Sequence, residues 1–208
     1  NDNCSIFIKR QRNHCYRAWN NFFILDSTFH REFKNIQKFT QFGIPTLDVL
    51  YFGQRKEKGK LESILVTQEL DGYFPLDSEY IKNALLEDFK FRKIVLKKVA
   101  EVLRCMHKHN LQHNCLYEKH IFLKQLEAGG VDVRLIDLEK VKRTLLQDQA
   151  IYRDLGTLYR HSDGWSKADC LRFFLYYRQE RRLSKSSKKL LVSFLSKVKK
   201  KVNKKTKV

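Results

Sequence analysis

The chain lacks the cysteine spacing of a disulfide framework or of a zinc ribbon. Its five cysteines stand at positions 4, 15, 105, 115 and 170, and no two of them form a CxxC pair. Both kinds of site depend on regularly spaced thiols, so neither is indicated. Free thiols fit a reducing compartment, and we therefore expect a cytoplasmic protein.

Long apolar runs are also missing. No stretch approaches the roughly 18–20 apolar residues that a membrane-spanning helix requires, and the start of the chain has no signal-peptide pattern. The first residue is Asn rather than Met, so we expect the start to be trimmed. With 42% hydrophobic residues, a chain of 208 residues still has enough apolar side chains to form a core. This size predicts one compact domain or two small lobes that share a cleft.

Acidic residues are scarce. Lys and Arg number 42 and Asp and Glu number 23, which gives a formal net charge of +19. No acidic residue follows Glu180, whereas lysines crowd the C-terminus at positions 197, 199, 200, 201, 204, 205 and 207. This charge predicts anionic partners: nucleic acid, an anionic membrane surface, a phosphorylated ligand or an acidic protein.

The apolar periodicity predicts an α+β chain in two unequal lobes. In the first lobe we expect a strand at 4–9, a helix at 27–41 with Ser27 as N-cap, and strands at 43–53 and 61–70 around a polar hairpin tip. A connector at 71–78 leads into one long amphipathic helix over 85–106, followed by short strands and further helices. We assign 1–70 to an N-lobe, 71–184 to a helical C-lobe, and 185–208 to a basic amphipathic helix and tail.

Eight short motifs follow one another along the chain: "FIKRQ" (7–11), "REF" (31–33), "GIPTL" (43–47), "VTQEL" (66–70), "HNCLYEKHIF" (113–122), "LIDLEK" (135–140), "RDLGTLYR" (153–160) and "LRFFLYY" (171–177). This ordered set resembles the lipopolysaccharide core kinases of the WaaP/InaA type, which belong to the protein-kinase-like superfamily. The resemblance runs from about residue 6 to 184. It implies a protein-kinase-like fold with a small β-rich N-lobe and a mainly helical C-lobe. Only eight residues precede Lys9 and none forms a Gly-rich loop, so we expect the first hairpin to lie outside this chain.

The resemblance implies ATP and Mg²⁺ as cofactors. Lys9 would approach the α- and β-phosphates and be held by Glu32 of the following helix. Asp137, which follows the apolar strand "VRLI", would hold the metal, since a carboxylate at the end of a buried strand is costly unless it is paired. Its alternative role is that of a helix N-cap. His120 is the candidate second metal ligand, and its alternative is a packed histidine.

Further roles follow from the same resemblance. The backbone of Gln68 and Leu70 would contact the adenine at a hinge, whose alternative is a simple edge strand. His113 would open the catalytic loop, and Asp154 would support that loop by accepting backbone hydrogen bonds. A zinc site built from His107, His109, His113 and Cys115 is an alternative, but the spacing HxHx₃HxC matches no standard ligand set.

Cys115 stands where such a loop carries its catalytic Asp. A thiol with a pKa near 8.5 is a poor general base at neutral pH, and neighbouring phosphates raise that pKa further. General-base help contributes roughly 10²–10⁴ in rate. Because most of the catalysis of phosphoryl transfer is positioning and charge neutralisation, loss of the base slows such an enzyme without necessarily silencing it.

We therefore predict an ATP-dependent kinase of a Gram-negative bacterium that phosphorylates a sugar hydroxyl of the lipopolysaccharide core. Its expected partners are this core or another anionic glycolipid, the anionic inner face of the inner membrane, and a small acidic protein. The first alternative is a pseudokinase that binds a nucleotide or a partner without turnover. The second is a basic nucleic-acid-binding protein, which is disfavoured because no reader module is recognisable. The lysine-rich tail fits docking to lipid or a solubilising tail equally well.

Overall fold

The structure is a computed structural model that describes residues 5–17, 25–162 and 164–205, with residues 17, 25 and 197–205 described by their backbone only. The first part of the chain forms one antiparallel sheet, one short strand pair and one helix. These elements are β1 (Ile6–Arg12), β2 (Cys15–Arg17), β3 (Leu25–Ser27), α1 (Thr28–Gln41), β4 (Val49–Glu57) and β5 (Lys60–Gln68).

The antiparallel sheet has the strand order β1-β5-β4, while β2 pairs with β3. Residues directly opposite each other in an antiparallel sheet share a face. Lys9 lies opposite Leu65, which lies opposite Phe52. The Phe52 ring stacks on Phe33 of α1 with centroids 4.8 Å apart, so this face of the sheet is turned toward α1. The register therefore directs Lys9 at the helix.

Helix α1 begins as its sequence predicts. The Ser27 hydroxyl oxygen accepts a hydrogen bond from the His30 backbone N–H at 3.1 Å, which satisfies one of the free donors of the first turn. Apolar residues at helical spacing bury Ile36 and Phe39 in the core. The first strand was predicted at 4–9, but β1 spans Ile6–Arg12 and so ends three residues later. Cys4 lies outside the described residues.

The hairpin between β4 and β5 is tighter than the polar segment 54–60 suggests. Both strands continue into that segment, and the turn consists of Lys58 and Gly59, which have φ values of 49° and 77°. Two successive positive φ angles give a turn whose twist matches that of the strands. The charged residues of the segment therefore pair across the ladder instead of forming a loop.

The second part of the chain is mainly helical. Its elements are β6 (Phe74–Pro75), α2 (Glu79–Glu87), α3 (Phe89–Lys108), β7 (Leu111–Gln112), β8 (Ile121–Gln125), β9 (Val131–Leu135), β10 (Lys142–Arg143), α4 (Gln147–His161), α5 (Lys167–Arg178) and α6 (Lys185–Lys205). One small sheet has the order β6-β8-β9, and β10 pairs with β7. None of the helices in the described ranges is both long and apolar enough to cross a membrane.

The prediction of a single long helix over 85–106 is wrong, because the helical conformation is interrupted at Asp88. This residue has extended backbone angles (φ −113°, ψ 104°), and its carboxylate accepts hydrogen bonds from the N–H groups of Lys90 and Phe91. It therefore ends α2 and caps α3. Helix α3 then carries the centre of the core, with Val99 and Leu103 fully buried.

Helix α5 begins with a side-chain cap. The Ser166 hydroxyl accepts the Asp169 N–H at 3.1 Å and donates to the Asp169 carboxylate at 2.7 Å. Helix α6 covers most of the predicted basic segment, and Lys207 lies outside the described residues. The lobe boundaries at residues 70 and 184 stay a prediction.

Candidate active site

The first component of the site is an ion pair between the sheet and α1. The Nζ atom of Lys9 lies 2.9 Å from Oε1 of Glu32. The Glu32 side chain is only 3% exposed. Burial raises the pKa of Glu32, Lys9 opposes this shift, and the negative charges of Asp137 and Glu139 add to it. The carboxylates of Glu32, Asp137 and Glu139 therefore lie near enough to interact electrostatically, in a region that also contains the Lys9 ammonium group.

Asp137 stands where β9 has ended. Its backbone is left-handed (φ 59°, ψ 54°), a conformation that Asp tolerates better than most residues. The side chain is 41% exposed and caps no N–H of the following 3₁₀ turn. The N-cap alternative is therefore not the role that this side chain has. Its Oδ2 atom instead lies 3.4 Å from Nε2 of His120.

Helix α1 holds the segment that follows Asp137. The buried Asn35 side chain donates from Nδ2 to the backbone oxygens of Leu138 at 2.8 Å and of Val141 at 3.1 Å. One turn away, Arg31 pairs with Glu139 at 3.0 Å. These contacts tie the helix that carries Glu32 to the turn that carries Asp137. Sequence reasoning missed both bridging residues, although a polar residue on the buried stripe of α1 is a signal that could have revealed Asn35.

Asp154 of α4 supports the loop that begins at His113. Its two carboxylate oxygens accept hydrogen bonds from the backbone N–H of His113 at 2.6 Å and of Asn114 at 3.0 Å. One of the two oxygens also lies 3.2 Å from Nε2 of His107, whose Nδ1 lies 2.8 Å from the Tyr177 hydroxyl. Asp154 and His107 are both fully buried, so this network holds the loop from beneath in a region of low dielectric.

His113 links the loop to the segment that follows β9. Its Nε2 lies 3.0 Å from the Ile136 carbonyl oxygen. A carbonyl only accepts, so Nε2 carries the hydrogen. Burial lowers the pKa of His113, which keeps the ring neutral at neutral pH. The side chain thus joins the catalytic loop to the residue that precedes Asp137, and this is a positioning role.

Cys115 has a half-buried, free thiol. Its backbone oxygen accepts a hydrogen bond from Nδ1 of His120 at 2.8 Å. Because Nδ1 must donate to that carbonyl, a neutral His120 keeps its lone pair on Nε2, the atom that faces Asp137. A metal-ligating histidine typically donates its other N–H to a backbone carbonyl in this way.

His120 and Asp137 therefore fit a divalent cation. Their facing atoms are 3.4 Å apart, which is about the separation of two ligands that each lie roughly 2.1 Å from one ion. Within the described ranges no three His, Cys, Asp or Glu side chains form a metal-binding group. The remaining ligands would have to be phosphate oxygens and water, as is usual for Mg²⁺ with nucleotides.

The zinc alternative does not fit this geometry. His107 is engaged with Asp154 and Tyr177, and the His109 ring stacks on Phe42 with centroids 4.2 Å apart. The side chains of His107 and His109 are therefore used in packing and hydrogen bonding, and they do not form a common ligand set with Cys115.

The predicted hinge lies at the end of β5. The Gln68 N–H donates to the Asp48 carbonyl at 2.9 Å, so Gln68 can offer a nucleotide only its own carbonyl oxygen. The Leu70 carbonyl accepts the Tyr73 N–H at 3.2 Å, which closes the turn that follows. The expectation that the backbone of Gln68 and Leu70 contacts adenine stays a prediction, in which Gln68 would take part through its carbonyl oxygen because Asp48 already binds its N–H.

Comparison with known proteins places these motifs in one family. The family model described as "Lipopolysaccharide kinase (Kdo/WaaP) family" matches residues 2–177. "Protein InaA" of Escherichia coli (strain K12) is 28% identical over 173 residues, which cover 83% of this chain and 79% of that protein.

A solved structure described as "WaaP in complex with acyl carrier protein" is similar in fold. It superposes with a TM-score of 0.65 at 23% sequence identity, and the match covers 82% of this chain and 75% of that chain. At this identity the likeness shows the kinase-like fold alone.

Proposed function

The chain belongs to the lipopolysaccharide kinase (Kdo/WaaP) family, and on that premise we propose that it transfers the γ-phosphoryl group of ATP to a sugar hydroxyl of the lipopolysaccharide core. The carrying observation is the Lys9–Glu32 pair, which α1 connects through Asn35 and Arg31 to the turn that holds Asp137. This arrangement supports the proposal, because the Lys9 ammonium group and the Asp137 carboxylate both act on Glu32 and so lie in the same region.

Each residue then has a role in the transfer. Lys9, held by Glu32, would bind the α- and β-phosphates, and Asp137 with His120 would hold the divalent cation. The cation, when bound, neutralises negative charge on the phosphate oxygens. Asp154 and His113 position the loop at which the acceptor hydroxyl would lie. In the reaction the bond from the γ-phosphorus to ADP breaks, a bond to the sugar oxygen forms, and the hydroxyl proton is released.

Cys115 makes this a slow kinase or a pseudokinase. A thiol at this position is a poorer general base for the hydroxyl proton than the carboxylate that such a loop usually carries. Positioning and charge neutralisation supply most of the catalysis of phosphoryl transfer, and the chain has the residues for both in Lys9, Glu32 and Asp137. We propose slow turnover, and the pseudokinase is the second candidate because Cys115 specifically favours it.

One experiment separates the two candidates. ATP consumption and phosphate transfer to purified lipopolysaccharide core are measured for the wild type, Cys115→Asp and Cys115→Ser. We expect Cys115→Asp to raise the rate by roughly 10²–10⁴, the usual contribution of a general base, and Cys115→Ser to leave it low. Nucleotide binding without turnover in both the wild type and the Asp variant would support the pseudokinase.

The charge suggests two kinds of partner. A net charge of +19 favours association with anionic surfaces, and we propose the cytoplasmic face of the inner membrane as the place where the glycolipid acceptor is met. The WaaP structure was solved with an acyl carrier protein, and we propose that this chain also binds a small acidic protein. Vesicle and carrier-protein affinities that do not fall as salt is raised would contradict the electrostatic part of this proposal.

A further inference from the structure

Two adjacent leucines are exposed beside the candidate active site. Leu145 is 99% exposed and Leu146 is 63% exposed. Single apolar side chains are common on protein surfaces and need no explanation. An adjacent pair at the tip of one turn is different, because both side chains face water together. We call residues 140–146 the leucine tip.

The backbone of the leucine tip is held at both ends. Strand β10 pairs with β7, with Lys142 opposite Gln112 and Arg143 opposite Leu111. The Thr144 N–H then donates to the Asn110 carbonyl at 2.8 Å. On the other side the Leu146 N–H bonds to the Thr144 hydroxyl at 3.2 Å, and α4 begins at the next residue. The two leucines are therefore displayed by a structured turn.

The same contacts place the leucine tip next to the catalytic loop. Strand β7 ends at Gln112 and leads directly to His113 and Cys115. The Asn114 side chain donates from Nδ2 to the Lys140 carbonyl oxygen at 2.8 Å. A surface that holds the leucine tip therefore also holds the loop at which the acceptor hydroxyl would lie.

The charge around the leucines is positive. Lys140, Lys142 and Arg143 are all exposed, and Asp148 is the one exposed acidic residue in the segment 140–148. Cations that flank exposed apolar side chains are typical of segments that bind an anionic bilayer, since headgroup phosphates and acyl chains are both within reach. A different exposed leucine, Leu86, is 69% exposed but is followed by the acidic residues Glu87 and Asp88.

We propose that the leucine tip is a membrane-docking element. Leu145 and Leu146 insert at the boundary between the headgroups and acyl chains of an anionic bilayer, while Lys140, Lys142 and Arg143 contact lipid phosphates. This holds the catalytic loop at the surface from which a glycolipid acceptor projects. The role of the acceptor rests on the proposed function, whereas the lipid contact itself does not.

The lipid contact is tested with the full chain and vesicles of phosphatidylglycerol and phosphatidylcholine. In Leu145→Trp we expect a blue-shifted emission and strong quenching by brominated lipid, beyond the signal of the two native tryptophans. Leu86→Trp is the matched control and stays unquenched. In a co-sedimentation assay the double variant Leu145→Ser/Leu146→Ser should bind these vesicles at least about tenfold more weakly, since binding no longer transfers two apolar side chains from water to the bilayer. Leu86→Ser should bind as the wild type does.

Several outcomes would overturn the proposal. These are an unquenched Trp at position 145, an unchanged affinity of the double serine variant, or equal affinity for vesicles of phosphatidylcholine alone. If the double serine variant bound vesicles as the wild type does but no longer bound a small acidic protein, the leucine tip would be a protein-binding surface and the proposal would be overturned. Circular dichroism of each variant confirms that the fold is retained.

A second readout separates this inference from the proposed function. Phosphate transfer is measured to lipopolysaccharide in vesicles and to its soluble, deacylated core. We expect the double serine variant to lose activity at least about tenfold on vesicles and to match the wild type on the soluble core. If the wild type phosphorylates neither acceptor, the proposed function fails, while quenching and co-sedimentation still decide the role of the leucine tip. Equal loss on both acceptors would overturn the docking role.

Discussion

The ammonium group of Lys9 lies 2.9 Å from the carboxylate of Glu32, which in turn experiences the negative charge of Asp137. Residues from the sheet, from α1 and from the turn after β9 therefore act on one region, which is the arrangement that a bound triphosphate requires.

Lys9→Met should reduce nucleotide turnover by at least about 100-fold, since a fixed charge aimed at a transferring phosphoryl group typically contributes this much or more. Arg10→Met is the matched control, because Arg10 is exposed and its side chain alternates to the other face of the sheet. Steady-state kinetics and calorimetric ATP binding provide the readout. Equal losses in the two variants would show that only general surface charge matters.

Glu32→Gln should stabilise the fold at neutral and alkaline pH. Because the pKa of Glu32 is raised in the folded protein, the native state binds a proton more readily than the unfolded chain does, and stability falls as the pH rises through that raised pKa. The gain from Gln should therefore shrink as the pH approaches about 4.3, the ordinary value of Glu. Urea unfolding from pH 5 to pH 8 measures it, with the exposed Glu87→Gln as the control.

The opposite sign at pH 8 would be informative. A Glu32→Gln variant that is less stable than the wild type would mean that attraction to Lys9 outweighs the burial of the carboxylate. The partly exposed Lys9 keeps access to water in this variant, so an unpaired ammonium group is not expected to reverse the result.

Mn²⁺ should bind the ATP-loaded protein more tightly than Mg²⁺, because one of the two protein ligands is an imidazole nitrogen and Mg²⁺ prefers oxygen. Electron paramagnetic resonance of free Mn²⁺ in competition with Mg²⁺ measures this preference. His120→Ala should weaken Mn²⁺ binding at least about tenfold and remove most of the preference. Asp137→Asn should abolish binding, while the exposed Asp148→Asn should leave it unchanged. Unaltered Mn²⁺ affinity in His120→Ala would exclude His120 as a ligand.

Asp154→Ala should destabilise the fold by about 3 kcal/mol, because the donors of His113, Asn114 and His107 lose a buried acceptor. For a chain of this length that change lowers the melting temperature by about 6–12 °C. Asp148→Ala, an exposed change in the same helix, should shift it by no more than about 2 °C. A melting temperature of Asp154→Ala equal to that of the wild type would show that water replaces the carboxylate.

Local features were predictable because their causes are local. The spacing of Phe29, Phe33, Ile36 and Phe39 predicted α1, and Ser27 marked its start, since a cap depends on residues only three positions apart. The kinase-like fold followed from the resemblance of ordered motifs, and the family match confirms that family. Where a local pattern was ambiguous, as at Asp88 within an apolar repeat, the single helix that we expected was wrong.

The amino-acid sequence by itself determined the position of α1, the charge of +19 and the types of residue available for chemistry. The tertiary structure alone decided that Asn35 reaches the Leu138 carbonyl, 103 positions away, and that the Gln68 N–H is used by Asp48. It also decided that Leu145 and Leu146 face water beside the catalytic loop. The physical reason is that helix caps and periodicity act within a few residues, whereas these contacts and exposures arise only when distant segments pack.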